Sequence, residues 1–343
     1  MAPNETDVEQ QAVAIQAGEP TGEAELSDSA LKSLTGGSSR FRIVRQFGRA
    51  GTITVGCLVS TFLVAMILAV PGVAVLGVPD DPNDMGLMIV SMIAFSVAAL
   101  FVTNGFLRTT EATSLRDAGL PIKWSGGKKW VAGFAMGFLT LTVIAAFYLA
   151  AGVAGFRRLE NTSPNFGIVA LWVCFFAVQS MGEEAIFRGF LLRLWTRSVN
   201  FPVGLLSSSA LFSLGHLGNP GAGGLALFHT LLAGMTLGLI FERTGSLWLA
   251  GGIHAGWNVA QPIFGLNMSG YPIRILSYEM DIRAGTLWTG GEYGLEASLP
   301  VTILTAGLTG WLVYRRGSAS HSVTPVSSHR PDLAECKTAS QTF

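Results

Sequence analysis

The chain has 343 residues, of which 50% are hydrophobic and only 13% are charged, and its mean hydropathy is +0.47. Soluble domains carry roughly 25% charged residues, so a soluble multidomain enzyme and a disordered chain are both excluded. Twenty-two basic residues against twenty-two acidic ones leave no net field for a polyanion, which excludes a nucleic-acid binder.

In chain order, the first 48 residues read as a polar tail. Seven acids (Glu5, Asp7, Glu9, Glu19, Glu23, Glu25 and Asp28) precede the first base, Lys32. No apolar run follows Met1, so the pattern predicts a disordered tail rather than a cleaved signal peptide. Spanning a bilayer takes about 20 predominantly apolar residues. Eight segments approach that length, at roughly 52–77, 86–107, 130–154, 167–195, 201–219, 223–241, 245–263 and 297–314. Residues 317–343 form a second polar tail. Between the tails, 49–316 is expected to be an all-α polytopic transmembrane bundle of about eight spans, and 42 glycines suit tightly packed membrane helices. Cys57 and Cys174 lie in apolar runs and Cys336 in the tail, with no CxxC, so neither a disulfide framework nor a thiolate zinc site is implied.

Lys and Arg counts in alternate loops set the orientation. With the N-terminus inside, the outside loops hold only Arg157, Arg158, Arg274 and Arg283, leaving 18 of 22 bases inside. Both termini are therefore expected in the cytoplasm, with the acidic loop Asp80, Asp81 and Asp84 outside.

Ionisable groups inside spans cost roughly 2.5–3.5 kcal/mol each at a helix centre, so they mark function. Glu183 and Glu184 sit in FFAVQSMGEEAIFRGFLLRLW. Adjacent carboxylates point about 100° apart on a helix, so one can face a cavity while the other pairs locally. Glu184 and Arg188 are spaced i,i+4, the favoured order for a helical ion pair. The alternative, a charged loop after a helix end, conflicts with the apolar pattern that resumes at Phe187, Phe190 and Leu191. His216 closes the run LLSSSALFSLGH, and alone would read as a helix-end histidine bonded to a carbonyl. His254 and Asn258, in LWLAGGIHAGWNVAQ, share one helix face. His229, in LALFHTLL, has no acidic neighbour and reads as structural. At 1.5 Å per residue, Glu183, His216 and His254 fall about 21, 22 and 14 Å from the cytoplasmic ends of their helices, which allows them to cluster.

EExxxR, then FxxxH, then HxxxN, in that order over residues 167–262, resembles the CPBP intramembrane proteases. That family includes the CAAX prenyl proteases of the Ras-processing type and bacterial relatives linked to bacteriocin self-immunity. The resemblance implies that Glu183 activates water, assisted by Glu184, with Arg188 as a structural partner of a carboxylate. It further implies that His216 holds the water while His254 and Asn258 stabilise the oxyanion. Its substrate would be a membrane-associated protein or peptide, in the lipid bilayer of a bacterial plasma membrane. Glu183, His216 and His254 also make a three-ligand set for Zn2+, so a glutamate-type and a metallo-type mechanism both stay open. HExxH is absent. Two other classes compete: a non-catalytic scaffold or immunity factor retaining the motif, and a proton-coupled transporter using the acid and histidines as a relay. The transporter predicts an internal repeat, and none is evident.

Overall fold

The computed structural model describes residues 28–76, 85–159 and 166–320. The acidic loop at 80–84 and the tail segments 1–27 and 321–343 lie outside these. The described elements are α1 (Asp28–Leu76), α2 (Met85–Thr110), α3 (Trp124–Ala150), β1 (Ala154–Arg158), α4 (Phe166–Glu184), a π-helical segment (Ala185–Leu191), α5 (Leu192–Ser198), α6 (Phe201–Leu214), α7 (Gly224–Thr244), α8 (Leu247–Ile263), β2 (Tyr278–Ile282), the short α9 (Thr286–Thr289), two 3-10 turns (Gly291–Tyr293 and Leu295–Ala297) and α10 (Leu299–Ser320). The chain divides into two units, Met1–Arg49 and Ala50–Phe343. Every contact described below lies within the second.

Among the described residues, five helical stretches are long and apolar enough to cross a membrane: Arg42–Val75, Met85–Thr110, Trp124–Ala150, Phe166–Ser198 and Gly224–Thr244. The expected spans at 201–219, 245–263 and 297–314 are not among them. Their physics explains this. α6 has 14 residues and α8 has 17, so they rise only about 21 and 26 Å against a hydrocarbon core of about 30 Å. α10 meets Arg315 and Arg316 after the 16 residues 299–314, which ends its apolar run short of a span.

Local sequence sets the helix ends. Asn200 caps α6 by accepting from Val203 N at 3.0 Å, with Pro202 in the first turn, where its missing N–H costs nothing. Ser246 caps α8 by accepting from Leu249 N at 3.3 Å. Gly245 ends α7 at φ 58°, a left-handed conformation that favours glycine.

α8 makes its most extensive contact with α3, and glycines make it close. A Cβ on Gly133 or Gly137 would land on the α8 backbone at Leu249 O and Ile253 O, and one on Gly252 or Gly256 on the α3 backbone at Trp130 O and Phe134 O. Small residues of this kind let membrane helices pack backbone to backbone. α8 thereby becomes the fixed strut of the bundle, and it carries His254 and Asn258.

The connecting segments meet on two faces. On one, Glu111 accepts from Arg197 at 2.5 Å and Arg193 at 3.5 Å. Leu247 N bonds Gly119 O, Trp248 Nε1 bonds Pro121 O, and Arg316 pairs with Glu242. On the other, β1 and β2 pair antiparallel, with Ala154 opposite Ile282 and Arg158 opposite Tyr278. The cross-strand Arg157 and Arg274 both bond Glu279; burial raises that carboxyl, but the two arginines outweigh it and hold it below its ordinary value. Among the described residues, these connections thus form two groups.

Candidate active site

α4 runs without a break through the π-helical turn into α5, so the charged sequence at 183–193 is helix and not loop. Gly182 lets α4 press against α2, since a Cβ there would stand 2.6 Å from Ser96 Cα. The segment Ala185–Leu191 is buried throughout. Its last hydrogen bond, Leu192 N to Phe187 O, spans five residues, the spacing of a π-helix. Such turns occur mostly as single-turn insertions in α-helices, frequently at functional sites.

The two adjacent glutamates have separate fates. Glu184 is fully buried, and its Oε1 accepts from Arg188 Nη1 at 2.8 Å and faces His254 Nδ1 at 3.0 Å. Arg188 completes its bonding on Gly234 O of α7 at 3.2 Å and lies 4.5 Å from the Phe212 ring centre. Glu183 instead lines a cavity of about 410 Å³. Its Oε2 is buried with no hydrogen-bond partner and stands 3.6 Å from His254 Nε2.

His216, just past the end of α6, holds Phe212 O with Nδ1 at 2.8 Å. A carbonyl only accepts, so Nδ1 carries the proton and a neutral His216 leaves a lone pair on Nε2. The Phe212 ring sits between the two histidines, with ring centres 4.8 Å from His216 and 5.9 Å from His254. Asn258 lies one turn beyond His254 and donates from Nδ2 to Gln179 Oε1 at 3.1 Å. Glu183, His216, His254, Asn258 and Gln179 all line the same cavity, while Glu184 and Arg188 stand behind its wall.

The donor set does not fit a metal ion as arranged. Among the described residues, no three His, Cys, Asp or Glu side chains are grouped to hold one. His254 already has Nδ1 on Glu184 and Nε2 toward Glu183, so no step below runs through Zn2+.

Some residues of the site had no place in the sequence reading. Gln179 could have been found, as the polar residue one turn before Glu183 in an apolar run. Glu296, in the second 3-10 turn, could not: it accepts from Trp257 Nε1 at 2.8 Å, Gln261 Nε2 at 3.1 Å, and Ser269 N and Oγ at 2.9 and 2.8 Å. Only the fold brings it beside α8. The neighbouring Tyr293 phenol is pushed up to about 12, by burial first and then by the charge on Glu296. His229, read as structural, lies in the cavity wall with its ring against Trp257.

No curated protein matches the chain. Residues 165–260, the stretch that carries Glu183 through Asn258, match the Rce1-like family model, described as type II CAAX prenyl endopeptidase, and this is consistent with the CPBP/CAAX protease family.

Proposed function

We propose that the chain is an intramembrane endopeptidase that hydrolyses a peptide bond of a membrane-associated protein or peptide with a Glu183-activated water. The observation that carries this is the convergence of Glu183, His216, His254 and Asn258 on one cavity between apolar helices. The transmembrane domain, 49–316, is read as eight crossings with both termini cytoplasmic, in a bacterial plasma membrane. The two-sided grouping of the connecting segments supports that path.

Each side chain has a role its geometry permits. Glu183 takes one proton from a water, whose other hydrogen bonds to Nε2 of His216. The water oxygen attacks the carbonyl carbon. Because Nδ1–H of His254 points to Glu184, His254 donates from Nε2 only as the imidazolium, and Glu183 and Glu184 balance that charge. Nε2–H of His254 and Nδ2–H of Asn258 then hold the oxyanion, a stabilisation that is strongest where water is excluded. Collapse breaks the C–N bond, and the proton on Glu183 passes to the departing amine. Arg188 acts through Glu184: it fixes the carboxylate that orients His254.

The test is cleavage of peptides by purified protein in detergent, beside Glu183→Gln and with a chelator series. The expected result is cleavage that chelator leaves intact and Glu183→Gln lowers by on the order of 10²–10⁴. Loss with chelator and recovery with zinc would replace this mechanism with a metal-dependent one. Equal activity of Glu183→Gln would remove the carboxylate from the chemistry.

A further inference from the structure

The cavity has a second polar end that the proposed chemistry does not use. It is formed by His229 and Thr230 on α7, Trp257 on α8, and Ser269 and Glu296 from the connection between α8 and α10. His229 is only 4% exposed and its Nδ1 is buried without a hydrogen-bond partner. His229 itself lines the cavity.

The chemistry of this end is one-sided. The hydroxyl hydrogen of Ser269 goes to Glu296 Oε2 and that of Thr230 to Ala226 O, and Thr230 Oγ1 also stands 3.5 Å from the Tyr293 hydroxyl, so these hydroxyls present oxygens rather than hydrogens to a ligand. Glu296 accepts four hydrogen bonds, two on each oxygen. Its charge has no Lys or Arg counterpart in the wall, for neither residue type lines the cavity. Arg188 already pairs with Glu184 behind the other end. Two carboxylates, Glu183 and Glu296, therefore set a negative potential in a space otherwise walled by residues such as Met92, Phe95, Leu237 and Leu308. In such low-dielectric surroundings like charge is rejected strongly and opposite charge is attracted.

We infer that the end formed by His229, Thr230, Trp257, Ser269 and Glu296 is a subsite for a basic side chain of the bound peptide, and that it turns carboxylates away. The inference rests on the endopeptidase reading only in taking the ligand to be a peptide.

The experiment uses full-length Glu183→Gln protein in detergent, so that nothing is turned over. Labelled apolar peptides with amidated C-termini carry a single Lys, norleucine or Glu, walked through the sequence, and binding is read by fluorescence anisotropy. At one position or two, Lys should bind about tenfold or more tighter than norleucine, and Glu more weakly than either. Glu296→Gln and, separately, His229→Leu should each shrink the ratio of Lys to norleucine affinity to about threefold or less. A Lys advantage at no position, one that survives both variants, or no binding of any peptide overturns the inference. Selective Lys binding with no cleavage by the unmodified protein would sink the protease reading and leave the subsite standing. Cleavage without charge preference would do the reverse.

Discussion

Glu183 and Glu184 are neighbours in sequence, yet removal of each charge has a different consequence. Glu183 lines the cavity and its Oε2 has no hydrogen-bond partner, so Glu183→Gln should leave thermal stability unchanged while it lowers turnover. Arg188 is the positive half of a pair in which both side chains are buried. Breaking such a pair from one side leaves a bare charge and costs about 3–5 kcal/mol. Arg188→Met should therefore lower the unfolding midpoint in detergent sharply, and a stability equal to that of Glu183→Gln would refute the buried-pair account. At this scale the sequence was informative. The i,i+4 spacing of Glu184 with Arg188 and the shared face of His254 with Asn258 follow from helix geometry alone. The bond from Glu184 to His254 joins residues 70 apart, and the Glu296 cluster joins a loop to α8. Neither contact has a local signature, because tertiary packing decides both.

Among the elements, α8 shows how composition becomes precision. Its glycines hold the α3 backbone close, and that proximity fixes the rotation at which His254 and Asn258 enter the cavity. Gly256→Ala should force the helices apart, costing about 1–3 kcal/mol by overpacking, and should reduce activity at a residue that faces no substrate. Gly127→Ala, at a position with nothing within 4 Å of the added Cβ, is the matched control and should be neutral in the same melting and turnover measurements. Hydropathy located these elements well but not their lengths. α6 and α8 have the apolar composition of spans, and only their caps at Asn200 and Ser246 and their ends at Leu214 and Ile263 reveal that they stop short. The π-helical turn was equally hidden, since an inserted residue in a short, mostly apolar stretch leaves no mark in the sequence.

For the molecule as a whole, the two groups of connections make a sidedness test. Single cysteines at Arg157 and Arg283, in a background without native cysteines, should react with an impermeant reagent from one side of sealed vesicles. Cysteines at Arg197 and Arg316 should react from the other. Labelling of Arg157 and Arg197 positions from the same side would rule out the path described here. The buried ion pair also bears on how the chain reaches this state. Arg188 leans on the carbonyl of Gly234, 46 residues further along. Until α7 has been synthesised, the stretch around Glu184 and Arg188 has no protein wall to hide against, and two ionised groups burden its partition into lipid. The first three apolar helices can enter the bilayer on hydropathy alone, whereas this one must wait, shielded at the insertion machinery, for a helix still being translated. The span that carries Glu184 and Arg188 is thus expected to settle late, and a ribosome halted before α7 should hold a chain in which that span is not yet stably inserted.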